Sequence, residues 1–378
     1  MRTKILLLFT FFLLQNTFAQ IEFDLSGYAE NYFLYQKENK TSLFNTASNI
    51  TNFSRIRLRP TIYLWTGARV NIEYEINAIA QKENNLPINF SFPNQTQLNS
   101  FSYKIINNRN FILKHFIDRF SFKQSFKWGN VIIGRQRIQW GTGRVWNPVD
   151  LFNPINPTEF YKIEKNGADA FTLKYNLGNF SDIQIVFNPY NKFNKYNSAF
   201  RVRTNFSEFD FSIVGGYFNN QYIIGGDFAG NLFKAGIRGE ILQRINNLTK
   251  ENYTHFILGI DYQFSPYLYG LLEYQYYGKG ESQKRNYNYF NLTTGNIFNL
   301  GKDYIAANIS YQINPLLNCL FLNILNLNDS SGFINTNIEY SATEDFYLSV
   351  GIQLGYGSAG SEYNYLPVII FTKCSYYF

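Results

Sequence analysis

Apolar and polar positions alternate along most of this chain. In residues 211–217, FSIVGGY, Phe211, Ile213 and Tyr217 share one face, with Ser212 and Val214 on the other. In residues 345–357, DFYLSVGIQLGYG, Phe346, Leu348, Val350, Ile352 and Leu354 lie opposite Tyr347, Ser349, Gly351 and Gln353. A period of two is the mark of a strand with unlike faces. Helical spacing nowhere persists for three turns. The alternation predicts about 18 strands, each near the 9–11 residues that a tilted membrane strand needs. They run over residues 21–35, 52–64, 68–80, 110–123, 128–139, 168–176, 181–188, 199–206, 209–218, 221–229, 232–244, 253–264, 268–277, 303–313, 318–325, 332–340, 346–356 and 366–378.

Every second connection is short: WTGA, QSFKWG, NLGNF, NFSEF, AGN, FSPY, INPLL and SATED. The others are mostly long, including 36–51, 81–109, 140–167 and 278–302. Short periplasmic turns alternating with longer outer loops are the pattern of outer-membrane barrels, and an even strand count returns both termini to the periplasmic rim. Trp65 and Trp128 fall at that rim, where an aromatic girdle belongs. The expected fold is all-β, an antiparallel transmembrane β-barrel of about 18 strands. A soluble β-sandwich or propeller is the alternative, and it gives no reason for loop lengths to alternate.

Composition fits that reading. The 38 Phe and 30 Tyr make the chain 19% aromatic, yet its mean hydropathy is only −0.25. A barrel reconciles the two, because only alternate residues meet lipid. After Gln20 no apolar run is long enough for a transmembrane helix. The opening MRTKILLLFTFFLLQNTFAQ places Arg2 and Lys4 before the apolar run Ile5 to Leu14 and ends on Ala19. This reads as a signal peptide over 1–19, with the barrel in 20–378. Its loss takes two from the formal charge of +7. No Lys/Arg block marks a nucleic-acid face. Cys319 and Cys374 sit on separate strands and are expected to be free thiols.

Polar side chains of a closed barrel point into the lumen. On the second strand Arg55, Arg57 and Arg59 share a face, flanked by Glu22, Asp24 and Glu30 on the first strand and Glu73 and Glu75 on the third. These form an arginine ladder between acidic ladders, read either as wall-stiffening ion pairs or as substrate steering. The same parity puts Arg135, Arg137, Arg201, Arg203 and Arg238 on the pore lining. The expected lumen is mixed in sign, with a basic sector around strands five to eight that would favour anions. With two His, His115 and His255, no metal site or catalytic triad is legible, and no cofactor or enzymatic activity is expected.

The stretch 134–154, GRQRIQWGTGRVWNPVDLFNP, then divides into wall and loop. GRQRIQW ends the fifth strand. The loop that follows carries Asn-Pro pairs, which hold the backbone extended. Trp146, Val149, Leu151 and Phe152 need burial, so the loop is expected to fold inward and narrow the channel. Arg144, Trp146, Asp150 and Phe152 are its candidate constriction residues.

The strand-five motif GRQ-x-I-x-W-G is similar to one found in alginate-export-type and related outer-membrane barrels of the capsule-assembly kind, matching at Gly134, Arg135, Gln136 and Gly141. NLNDSSGFINTNIEYSATEDFYLSVGIQLGYG resembles the penultimate hairpin of that porin-like group, and the terminal Phe378 resembles its assembly signal. The resemblance implies a barrel of about 18 strands that passes a solute or polysaccharide. The expected partners are outer-membrane lipid, the barrel assembly machinery, and a polar solute or polysaccharide, with no nucleic acid. The expected function is a porin-like channel for small polar or anionic solutes. The alternative is a non-conducting surface lectin or an exopolysaccharide export barrel.

Overall fold

The computed structural model describes residues 21–40, 45–82, 96–153, 157–158, 164–191, 193, 195–246, 252–293 and 297–378. The expected signal peptide lies outside them. One sheet of 19 strands dominates the chain, and 18 of these close into an antiparallel barrel. The first nine are β1 (Glu22–Gln36), β2 (Asn49–Trp65), β3 (Ala68–Gln81), β4 (Phe111–Phe126), β5 (Gly129–Gln136), β6 (Ala168–Asn176), β7 (Asp182–Tyr190), β8 (Lys195–Phe206) and β9 (Phe209–Phe218). The rest are β10 (Gln221–Leu232), β11 (Ala235–Ile245), β12 (Tyr253–Ser265), β13 (Leu268–Tyr277), β14 (Asp303–Asn314), β15 (Leu317–Asn326), β16 (Ser331–Ser341), β17 (Phe346–Tyr356) and β18 (Ile369–Tyr377). Each pairs with its chain neighbour, and β1 closes on β18 from Tyr28↔Tyr377 to Gln36↔Ile369. Closure leaves the barrel no unpaired edge, the condition for carrying a sheet through hydrocarbon.

The alternation has its physical reason in the two environments. Outward residues such as Phe211, Ile213, Leu258, Ile260 and Leu272 are exposed, while inward Val214, Leu242 and Ile257 are fully buried. Trp65 and Trp128 are exposed at the short-turn rim. The two-residue turns Ser207–Glu208, Asn219–Asn220 and Phe233–Lys234 hold both residues at positive φ, the hand that matches strand twist. Cys319 and Cys374 are free.

The nineteenth strand, Ser102–Asn107, was not expected from the sequence, which reads 81–109 as loop. It pairs with the upper part of β4, from Ser102↔Phe116 to Asn107↔Ile112. The lower part of β4 pairs with β5, from Phe120↔Arg135 to Phe126↔Gly129. Strand five therefore ends early, at Gln136 rather than 139, and the insert takes the place along β4 that a longer β5 would occupy. Thr96 to Ser100 complete the patch. The Thr96 carbonyl accepts the Asp169 N–H at 2.9 Å, and the Asp169 carboxylate accepts the Leu98 N–H at 2.7 Å.

Arg135 pins this seal and does not line the pore. The register sets it between lipid-facing Phe120 and Asp169. Its guanidinium donates to both Asp169 oxygens at 2.8 Å, to the carbonyls of Ser100 and Ile117, and to that of Asn99. It lies 4.6 Å from the Phe101 ring centroid. Gln136, opposite inward Ala168, takes the lumen side of β5, so the parity read for Arg135 is reversed. Arg137 lies past the strand end, exposed, and donates to Gln139 at 2.5 Å. Arg135→Ala leaves Asp169 buried without its cation and should lower the unfolding free energy by about 3–5 kcal/mol. Arg137→Ala should leave the midpoint unchanged. Urea titration in detergent micelles, read by heat-modifiable gel mobility, checks both, and equal effects would contradict the seal.

Candidate functional site

The site is the lumen, and its shape is set by the loop between β5 and β6. Ile138, Trp140, Val149, Leu151 and Phe152 pack on inward residues of six consecutive strands, including Ala170, Val186, Ala199, Val214, Ile223 and Leu242. Phe152 meets Trp140 edge-on at 5.4 Å and Phe218 edge-on at 5.3 Å between ring centroids. The loop tip crosses to the far wall. Trp146 is buried there among Ile257, Tyr304, Ala306, Ile324 and Phe333, with Tyr363 of the last long loop.

Two carboxylates of the wall hold the tip. Glu240 on β11 accepts the N–H groups of Thr142, Gly143 and Val149 at 2.5, 2.6 and 2.9 Å. Glu273 on β13 accepts those of Arg144, Val145 and Trp146 at 2.9, 3.1 and 2.7 Å. The sequence GTG makes this approach possible. Gly141 sits at φ +80°, and a Cβ there would come within 2.5 Å of the Glu240 carboxylate. A Cβ on Gly143 would meet the Trp146 carbonyl at 1.9 Å. The Asp150 carboxylate is buried and paired with Lys165, closing the loop on itself. Burial raises Asp150 to about 6, against the opposing pull of Lys165.

The return limb fastens to the opposite wall. Glu164 pairs with Arg59, with Arg57 at 3.3 Å and with Arg119 at 3.2 Å. Arg57 also holds Glu75 at 2.7 Å, Glu73 at 2.5 Å, and Asp118. Arg55 bridges Glu30 at 3.4 Å and Glu75 at 3.1 Å. Among the described residues, the carboxylates of Glu73, Asp118 and Glu164 lie within 4.8 Å of one another. The guanidinium groups of Arg57, Arg59 and Arg119 already neutralise that cluster.

The basic residues of β6 and β8 are less enclosed. Lys174, Arg201 and Arg203 converge on Asp182 at 3.3, 3.5 and 2.9 Å. The side chains of Lys174 and Arg203 nevertheless remain 31% and 38% exposed. Arg238 pairs with Asp261 and donates to the Thr142 carbonyl at 3.3 Å, bracing the loop from below Glu240. Arg144 is exposed at the loop tip. The structure buries all three of Trp146, Asp150 and Phe152, but at separate points: Phe152 against the wall of β6–β11, Trp146 against the far wall, and Asp150 on Lys165. Glu240 and Glu273 stand in the sequence as ordinary lumen acids. Their clamp role is signalled there only by the glycines of GTG.

A further carboxylate, Glu362, latches the long loops over the far side. Glu362 accepts the Leu300 N–H at 2.9 Å, the Asn326 amide at 2.7 Å and the Tyr304 hydroxyl. Burial pushes Glu362 up to about 7, with nearby Asp329 adding to the rise and these hydrogen bonds opposing it.

No protein-family model matches this chain, and no curated protein is similar in sequence. Solved structures are similar in fold. Pseudomonas aeruginosa OccK5 (OpdH) superposes with a TM-score of 0.59 at 8% identity, covering 94% of this chain and 97% of that one. Acinetobacter baumannii OccAB1 gives 0.57 at 11% identity, covering 96% and 98%. OccAB4 of the same organism gives 0.54 at 10% identity, covering 96% and 100%. The fold is that of a porin-type barrel.

Hydrogen bonds to charged groups contribute about 1.5–3 kcal/mol each. Glu240→Ala and Glu273→Ala should therefore each speed hydrogen exchange of the three N–H groups they hold by roughly tenfold or more. Unchanged exchange would remove the clamp. The Glu362 latch predicts a pH dependence. A carboxyl raised from 4.5 to about 7 stabilises docking in its protonated form, so the stabilisation is full below about 4.5 and lost as pH rises through about 7. After correction for intrinsic rates, loops 278–302 and 357–368 should be less protected at pH 8 than at pH 5. Glu362→Gln should flatten that difference.

Proposed function

We propose that the chain is a bacterial outer-membrane channel for passive passage of small polar solutes, anions favoured. The observation that carries the reading is the third long loop. It crosses a closed barrel from β5 to β13 and is tied to the wall at its tip and its return limb, while Lys174 and Arg203 keep exposed faces beside it. An apolar loop held across an 18-stranded barrel narrows it without removing the charged sector. A barrel of that strand number is wide enough for an aqueous path. The outer membrane is supported by the closed sheet with its lipid-facing apolar band and by the porin-type fold of the similar structures. A positive wall beside a low-dielectric constriction focuses the field and raises the local concentration of anions. Arg201, Arg203 and Lys174 supply that wall, and exposed Arg144 adds a charge at the loop tip. Arg55 and Arg57 stiffen the opposite side.

The purified protein should give discrete conductance steps in planar bilayers. Its reversal potential across a salt gradient should favour anions. Lys174→Glu with Arg203→Glu should move that potential towards cations while leaving the number of insertions unchanged. Absence of steps, with capsular polysaccharide bound to the outer surface, would replace the channel by the non-conducting lectin. Conductance blocked by a polyanionic polysaccharide alone would favour an export barrel of the alginate type.

A further inference from the structure

The inner wall carries a separate pocket at the short-turn mouth, where the two ends of the chain meet. Buried Tyr28, Ser349 and Ser375 mark the inward face of β1, β17 and β18. Tyr377 stands opposite Tyr28, Tyr347 opposite Ser375 and Glu339 opposite Ser349, so all three face the lumen. With Glu344, on the turn between β16 and β17, they line a cavity of about 310 Å³. That is the lower end of the range for small-molecule sites. None of the four belongs to the constriction loop or to the basic sector of β6 and β8.

The lining is held in place before any ligand arrives. The Tyr377 N–H donates to the Asp345 carbonyl at 2.9 Å, which ties the turn to the last strand and sets Glu344 beside Tyr377. The Tyr347 hydroxyl donates to the Glu344 carbonyl at 2.9 Å and fixes that ring. The rings of Tyr347 and Tyr377 meet at 85° with centroids 5.7 Å apart, forming an aromatic corner. Ser349 donates to Glu339 at 3.1 Å. Tyr377 nevertheless stays 38% exposed and the Glu339 side chain 30%, so the corner is open to the lumen.

Its charge is negative. Among the described residues the nearby cations are Lys373, 3.5 Å from Glu339, and Arg59. Arg59 is committed to Glu164 and lies over the Tyr28 ring at 5.0 Å. Glu339 and Glu344, with Asp345 adjoining, outnumber Lys373. Carboxylates repel an anion, and a hard divalent ion needs about six close oxygens where this pocket offers ring faces. Aromatic faces with carboxylates beside them suit a cation that also has a carbon surface. We propose that this pocket binds a small organic ammonium ion, a quaternary or primary alkylammonium solute. The site stands on the geometry of the wall, whether or not the barrel conducts.

The test is calorimetric titration of the full-length barrel in a non-ionic maltoside, at low constant ionic strength, with choline as the probe. Choline should bind saturably at one site. Its uncharged isostere 3,3-dimethyl-1-butanol, acetate and Mg²⁺ should not. Glu339→Gln with Glu344→Gln should abolish the binding with unchanged heat-modifiable mobility. Tyr347→Phe should keep it, and Tyr347→Leu should weaken it roughly two- to fivefold. No saturable heat from choline on the wild type, equal binding of the uncharged isostere, or full binding by the double variant would each overturn the proposal. The isostere comparison needs no variant, so it decides even where a substitution disturbs folding.

Discussion

Six backbone N–H groups of one loop end on two carboxylates of the barrel wall. The rest of the lumen follows from that arrangement. An extended loop with Asn-Pro breaks cannot satisfy its own backbone, and inside a barrel there is limited water to do it. Glu240 and Glu273 supply four oxygens at two points across the lumen, each carboxylate accepting from three residues. Carboxylates suit this role because hydrogen bonds to a charged acceptor are the stronger ones. With the polar backbone fixed, the apolar side chains between the anchors have one place to go. Trp140, Val149, Leu151 and Phe152 settle on one wall and Trp146 on the other.

Turning a strand inward opens the wall it leaves. Strand β5 is eight residues long while β4 beside it has 16, so half of β4 would face lipid with unpaired backbone. Residues 96–107 fill that place, and Arg135 fastens the patch from the outer side of the wall. The stretch GRQRIQWGTGR therefore does three jobs in succession. Arg135 seals the wall, Ile138 and Trp140 cover the lumen, and the glycines let the wall carboxylates reach the backbone.

The strands were legible because lipid imposes a period of two on every one of them. All 18 predicted segments overlap an observed strand, and most ends agree within a few residues. The inward fold of the loop was legible from Trp146 and Phe152, which have no other place to be buried. Two features were hidden for identifiable reasons. The insert Ser102–Asn107 is a strand only because β5 ends early, a condition set by residues more than 20 positions later. The parity of β5 was misread because the polar-inward rule presumes a lumen filled with water. Here the lumen beside β5 is filled by the loop itself, so Gln136 faces in and Arg135 faces out.

Parity along one strand and composition across strands carry different information, and the inner wall at the seam shows the difference. Taken strand by strand, Tyr28, Tyr347 and Tyr377 are three of 30 tyrosines in an aromatic chain. Register converts them into neighbours, because Tyr377 stands opposite Tyr28 and packs on Tyr347. The chain reaches that adjacency only when its first and last strands close the barrel. A surface built across the closure is invisible to any window of sequence, since its halves are more than 300 residues apart. The clamp has the same character on a smaller scale, joining Trp146 to a carboxylate 127 residues away. In a barrel, sequence alternation assigns residues to a face, and register decides which of them act together.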